Sequence, residues 1–179
     1  MSEHNEKNTK SRIWIVILLI CITAAAIVIG LMVLNQKKNT EPLVPDYAPV
    51  EKEDNASPIE GDDDEKLDKP EGGGSVSISY SKEIQISLAE MKAAVYFANP
   101  ARSNEDIVIQ IVIQDHVIAQ SGTISPGFEV RSLDLESSAK ELLVAGTYEG
   151  TLAVHYYDQQ TNEKAILNTE IPVTVTVTE

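Results

Sequence analysis

Residues 107–113 read Ile-Val-Ile-Gln-Ile-Val-Ile, and this stretch decides the fold class. Isoleucine occupies every second position, so the isoleucines share one side of an extended chain. A strict period of two with many β-branched residues is typical of a β-strand that has one buried face. We therefore predict a strand at 107–113 with its isoleucines in the core.

The C-terminal residues 171–178, Ile-Pro-Val-Thr-Val-Thr-Val-Thr, repeat this period. Turn-forming residues such as Asn99-Pro100 and Ser125-Pro126-Gly127 separate further alternating segments. These segments are 76–80, 84–88, 91–98, 117–120, 128–135 and 148–156. Seven or eight short strands within residues 75–179 predict a mainly β domain, an antiparallel β-sandwich.

Two irregularities are expected within these strands. Lys82 falls where the next inward-facing residue should be, which predicts a kink near Ser81-Lys82 where the strand passes from one sheet to the other. The apolar parity changes between Val130 and Leu133, which predicts a β-bulge there. Residues 137–143 are predicted to form a single helical turn.

Residues 13–34 are a run of 22 uncharged residues, fourteen of them Ile, Leu or Val. A helix of that length covers roughly 33 Å, enough for a hydrocarbon core of about 30 Å. We predict one transmembrane helix in contact with membrane lipid. A signal peptide cleaved after Ala24-Ala25-Ala26 is the alternative, but the apolar run continues past that point to Lys37 and Lys38.

The flanks of this helix suggest its orientation. Three Lys or Arg residues precede it and two follow it, which favours a cytoplasmic head at residues 1–12. Residues 35–74 hold five of the eight prolines, and residues 41–74 carry twelve acids against three bases. Few apolar residues and high charge predict a disordered stalk at 35–74. The domain at 75–179 is then extracytoplasmic, on a single-pass protein of the cell membrane.

Charge and composition exclude several classes of function. The formal net charge of −14 leaves no basic patch for nucleic acid. Cys21 is the single cysteine, which excludes an intramolecular disulfide and a cysteine-based zinc site. The histidines lack partners at metal-ligand spacing, and no phosphate-binding glycine motif or nucleophile elbow occurs. We expect no catalytic, cofactor-binding or metal-binding residues and no enzymatic activity.

The strand spacing, the Asn99-Pro100 turn and the run Gly146-Thr147-Tyr148 before the penultimate strand resemble the immunoglobulin-like domains of bacterial surface proteins. The resemblance covers residues 75–179 and implies an immunoglobulin-like antiparallel β-sandwich. It also implies that the Tyr148 hydroxyl bonds a nearby backbone group. The layout of anchor, acidic stalk and domain is similar to small membrane-anchored proteins of Gram-positive bacteria. Fold resemblance alone supplies no function.

Some bacterial immunoglobulin-like domains also contain a Lys–Asn isopeptide bond that joins an early strand to a late one. The resemblance makes Lys82 and Asn168 the candidate pair, because they lie on suitable strands. The alternative is that Lys82 marks the change of sheet and reaches solvent.

A candidate partner-binding face follows from strand parity. If the isoleucines of 107–113 point to the core, the intervening residues face outward beside those of the strand at 148–156. The apolar content of this face is unusual for a surface that meets only water. Its residues are Val108, Val112, Ala153, His155 and Tyr157. The alternative is that a loop or part of the acidic stalk lies over it.

These features predict a membrane-anchored extracytoplasmic immunoglobulin-like module that is non-catalytic. It would bind an unknown protein partner at the cell surface or in a membrane complex. The alternative is a structural surface or pilus-like subunit that assembles with itself through an exposed strand edge. The last strand is contiguous with the domain, so the domain itself is predicted to be monomeric.

Overall fold

A computed structural model describes residues 45–71 and 73–179, and this part of the protein is mainly β. Its elements are β1 Ala56–Pro58, β2 Ser79–Tyr80, β3 Glu83–Ser87, β4 Lys92–Asn99, β5 Glu105–Ile113, β6 His116–Gln120, β7 Phe128–Asp134, α1 Ala139–Leu142, β8 Gly146–Asp158 and β9 Lys164–Thr178. The predicted head at 1–12, transmembrane helix at 13–34 and residues 35–44 lie outside the described residues. Within the described residues, no helix has the length and apolar character needed to cross a membrane.

The strands form one sheet in the order β1-β7-β4-β3-β9-β8-β5-β6, and β2 pairs with β4. Neighbouring strands are antiparallel except β3 and β9, which run parallel. The sheet is curled. Ala119 of β6, at one end of this order, bridges Leu135, which follows β7 near the other end.

The curled sheet encloses the core that strand parity predicts. The four isoleucines of β5 are each at most 1% exposed. The inward residues of β9, Ile171, Val173, Val175 and Val177, are at most 5% exposed. The predicted parity of both strands is confirmed.

The expected irregularities occur near the predicted positions, with two differences in how the strands pair. Tyr80 pairs with β4 alone, whereas residues from Glu83 onward pair with β9 as well as with β4. The strand is therefore interrupted at Ser81-Lys82 as expected, but it keeps β4 as a partner, and the prediction that it passes to another sheet is wrong. The register of β4 and β7 shifts opposite Val130, but the extra residue lies in β4. The helical turn forms as α1.

Tyr148 ties the start of β8 to the preceding loop. Its hydroxyl accepts a hydrogen bond from the Val144 N–H at 3.2 Å and donates one to the Val144 carbonyl at 3.0 Å. This is the kind of backbone contact that the resemblance implies.

Lys82 and Asn168 are too far apart for an isopeptide bond. The Thr174 N–H donates to the Lys82 carbonyl at 2.8 Å, whereas Asn168 lies six residues earlier in β9 and pairs with His155. Six strand residues cover roughly 20 Å. Both side chains are exposed, so the isopeptide hypothesis is wrong, and Lys82 lies in the break between β2 and β3.

The prediction of a disordered stalk is wrong for residues 45–71, which pack against the domain. β1 pairs with the outer edge of β7. The Asp62 carboxylate accepts a hydrogen bond from the Ala101 N–H at 2.6 Å, and Glu53 accepts one from the Gly122 N–H at 2.8 Å. Composition predicts solvated, repelling acids here, but these carboxylates serve as acceptors for backbone donors.

Gly122 shows how closely this segment approaches the domain. A Cβ atom at position 122 would lie 2.8–2.9 Å from backbone atoms of Glu51, Lys52 and Glu53. The Thr123 N–H also donates to the Glu51 carbonyl at 3.0 Å. The contact therefore requires a glycine.

The strand parity predicts that truncating an inward-facing residue destabilises the protein more than truncating an outward-facing one. Ile109→Ala should lower the free energy of unfolding by about 2–5 kcal/mol, because Ile109 is fully buried. Thr174→Ala should change it by less than about 0.5 kcal/mol, because this side chain is exposed. Urea unfolding of the full-length protein in detergent measures both, and equal costs would contradict the assignment of faces.

Candidate functional site

The structure brings the five predicted partner-binding residues to one face of β5 and β8. Val108 lies opposite His155 in the antiparallel register. Ala153 lies opposite Gln110, and Tyr157 lies opposite Asp106. Val112 follows on the same side of β5. The predicted grouping therefore exists as a set of neighbours.

This face is not an open surface. Val108 and Tyr157 are 0% exposed, His155 is 5% and Ala153 is 7% exposed; Val112 is half-buried. The Tyr157 hydroxyl donates to the Pro45 carbonyl at 3.0 Å, which places the start of the acidic segment at this face. The prediction of an accessible binding face is therefore wrong. Pro45 belongs to the predicted acidic stalk, so the alternative, in which part of the stalk lies over this face, agrees with the structure.

His155 is the buried titratable group of this face. Its Nε2 lies 3.3 Å from the Gln110 side-chain oxygen, and Gln110 in turn donates to Gln120 at 2.6 Å. Burial, with a smaller contribution from the charge of Lys164, lowers the pKa of His155 from 6.5 to about 4. The imidazole is therefore neutral at physiological pH and bonded to an amide, an arrangement that holds the face together.

Lys69 ties the N-terminal segment to the end of β8. Its amino group contacts the Asp158 carboxylate and lies 3.6 Å from that of Glu105. The bond from Lys69 and the backbone N–H groups of the following turn lower the pKa of Asp158. Burial raises the pKa of Glu105, and Lys69 opposes that shift. Within the described residues, no group of three His, Cys, Asp or Glu could hold a metal ion.

An open groove of about 560 Å³ lies beyond Val112, lined also by Lys82, Asp115, Glu149 and Thr174. Its rim carries charges of both signs. Val112 therefore belongs to this polar groove and not to a continuous apolar patch.

A stretch of unpaired backbone lies on β9. β3 pairs only with Thr174–Thr178, so residues 165–173 have no neighbouring strand on that side within the described residues. We call residues 165–173 the open edge. At one end the Lys164 N–H donates to the Asp46 carbonyl, and at the other the Thr174 N–H donates to the Lys82 carbonyl, each at 2.8 Å. Lys164 and Thr174 thus point their N–H groups away from β8.

From Asn168 to Thr174 the register with β8 is regular, so the direction of the N–H groups alternates there. Asn168 and Glu170 direct N–H and C=O groups into the open edge, whereas Pro172 has no N–H to offer. Ile166 is 102% exposed and Leu167 is 77% exposed on the same stretch. They lie where the register of β8 and β9 shifts between the pairs His155–Asn168 and Tyr157–Lys164. The open edge thus combines free backbone groups with apolar side chains.

Strand parity did not single out these edge residues. One local signal was present, because Ile166 and Leu167 are adjacent apolar residues that break the alternation of the strand. The pairing that leaves the edge uncovered depends on the lengths of β3 and β9, which a period of two does not reveal.

No protein-family model and no curated protein matches the chain. Among solved structures, the chain is similar to AggA, the major subunit of aggregative adherence fimbriae type I from Escherichia coli. The sequences are 11% identical, the match covers 63% of this chain and 100% of that one, and the TM-score is 0.29. A TM-score this low supports no inference about fold or function.

The pKa of His155 predicts how stability depends on pH. The unfolded chain binds this proton near pH 6.5 and the folded protein near pH 4. The stability contributed by the neutral imidazole is therefore present above pH 6.5 and is lost as the pH falls towards 4. His155→Gln keeps an amide beside Gln110 but cannot titrate. Urea unfolding at pH 7 and pH 4.5 should show a smaller loss of stability for this variant than for the wild type; equal losses would contradict the assignment.

Proposed function

We propose that the protein is a membrane-anchored, extracytoplasmic and non-catalytic module whose immunoglobulin-like β-sandwich binds a protein partner. The uncharged run 13–34 supports the anchor. The curling of the sheet, which brings Ala119 of β6 to Leu135 beyond β7, supports the sandwich. The Tyr148 contact with the backbone of Val144 also supports it.

The open edge of β9 is the observation that carries the binding function. An extended segment of a partner can add to such an edge as a further strand, with main-chain hydrogen bonds for affinity and side-chain contacts for specificity. Asn168 and Glu170 would supply the backbone groups. Ile166 and Leu167, both exposed, would pack against the side chains of the added strand.

The two ends of the open edge limit what can bind. Asp46 lies beside Lys164 and Lys82 lies beside Thr174, so an added strand cannot extend past either position. Residues 165–173 span roughly 30 Å at about 3.3 Å per residue. The partner therefore contributes a short extended segment, such as a terminus or a loop, and not a long continuous strand.

Photocrosslinking from position 167 tests this function. The photoreactive residue p-benzoylphenylalanine is placed at Leu167 of the full-length protein in intact cells, with Val144 as the control position because it is also exposed. We expect a discrete protein adduct from position 167 and none from position 144. Glu170→Ala should leave the adduct unchanged. Glu170→Pro should reduce it at least about tenfold, because proline removes the free N–H.

Three results would change this account. An adduct that survives Glu170→Pro unchanged would contradict strand addition. Equal yields from positions 167 and 144 would contradict binding at the open edge. An adduct of exactly two copies of this chain would favour the alternative, a surface subunit that assembles with itself.

A further inference from the structure

The groove that contains Val112 begins at the open edge. Thr151 of β8 pairs with Pro172 of β9 on one side and with Val112 of β5 on the other, so the three residues form one row across the sheet. All three line the groove. Because Pro172 belongs to the open edge, a strand added there would lie directly beside the groove.

The register of β3 fixes the last position that an added strand can take. Glu83 pairs with Thr174, and the Thr174 N–H donates to the Lys82 carbonyl at 2.8 Å. A longer β3 would place Ser81 opposite Pro172, but the Ser81 N–H donates to a carbonyl of β4 instead. Among the residues that the structure describes, none therefore pairs with Pro172 on the side away from β8.

The face of the sheet decides where the partner residue at this position points. Residues directly opposite each other on neighbouring strands lie on the same face. Pro172 and Thr174 are both exposed on the outer face. The partner residue opposite Pro172 would therefore direct its side chain outward, beside the groove, whether the added strand is parallel or antiparallel to β9.

Three acidic side chains lie around this position. Glu83 and Glu149 pair with Thr174 from its two sides. Asp115 lies across the groove, in the tight turn between β5 and β6. All three are exposed, and within the described part of the chain no Lys, Arg or His nitrogen lies within 4.0 Å of their carboxylates.

Lys82 carries the opposing charge in the lining of the groove. It precedes Glu83 by one residue, so it falls opposite Val173 and outside the row that contains Thr174. The three carboxylates outnumber this one amino group. The local field therefore favours a positive charge beside the groove.

We infer that the partner segment carries a lysine or arginine opposite Pro172, whose side chain crosses the groove towards Glu149 and Asp115. Glu149 lies on β8, two strand spacings or roughly 10 Å from an added strand, a distance that an extended arginine and a glutamate cover between them. The aliphatic stem packs on Pro172, Thr151 and Val112, while the charged end stays in solvent near the carboxylates. This inference rests on the proposed function, because the side chain reaches the groove only from a strand at the open edge.

Synthetic peptides test the charge preference. Each is a short, capped and fluorescently labelled chain of alternating serine and valine with arginine, glutamine or glutamate at its centre. Fluorescence anisotropy measures its binding to the full-length protein in detergent at low salt. We expect the arginine peptide to bind about tenfold more tightly than the glutamate peptide, with the glutamine peptide between them, because opposite charges on neighbouring strands stabilise the pairing and like charges weaken it. Added salt should reduce this ratio, because exposed charges are screened.

Charge reversal at one position tests whether the groove is the source of the preference. Glu149→Lys should weaken binding of the arginine peptide about tenfold and strengthen binding of the glutamate peptide. Glu60→Lys is the matched control, since Glu60 is exposed, follows β1 and does not line the groove. It should leave the order of the peptides unchanged. A variant that failed to fold would lose all three peptides, whereas charge reversal changes only their order.

The outcomes separate this inference from the proposed function. Equal binding of the three peptides to the wild type would overturn the inference and leave the proposed function standing. An arginine preference that Glu149→Lys does not change would also overturn it, because the cation would then bind elsewhere. If no peptide binds, strand addition at the open edge is contradicted and the inference falls with it.

Discussion

The parallel pairing of β3 with the end of β9 is the contact on which the rest of the structure depends. β3 pairs with β4 on its other side and so joins the two parts of the curled sheet. It has five residues, whereas β9 has fifteen. The pairing therefore covers only Thr174–Thr178 of β9. The contact that closes the core also leaves the open edge.

The acidic segment covers other parts of the domain that would otherwise meet solvent. β1 lies along the edge of β7, and the start of the segment bonds Tyr157 on the outer face of β8. Short edge strands and covering segments are common ways to prevent unwanted strand pairing. Pro58, the last residue of β1, limits further pairing there in the same way that Pro172 limits it on β9. Within the described residues, 165–173 of β9 keep a stretch of backbone with no neighbouring strand on the side away from β8.

Sequence predicts what depends on local alternation and misses what depends on distant contacts. Three features could be predicted, because each follows from the parity or composition of adjacent residues. They are the burial of the β5 isoleucines, the interruption of the strand at Lys82 and the helical turn at α1. The burial of Val108 and Tyr157 could be given only as an alternative, because the segment that reaches this face has the composition of a disordered spacer. The open edge could not be predicted, because it results from a difference in length between two strands distant in sequence.

β9 keeps a free edge that is bounded by the backbone contacts of Lys164 and Thr174. Amide hydrogen exchange of the full-length protein, measured residue by residue, tests it most directly. The Thr169 and Ile171 amides bond within the sheet and the Thr174 amide bonds Lys82, so all three should exchange slowly. The Glu170 amide should exchange orders of magnitude faster than its two neighbours. Protection of Glu170 equal to that of Thr174 would contradict the account.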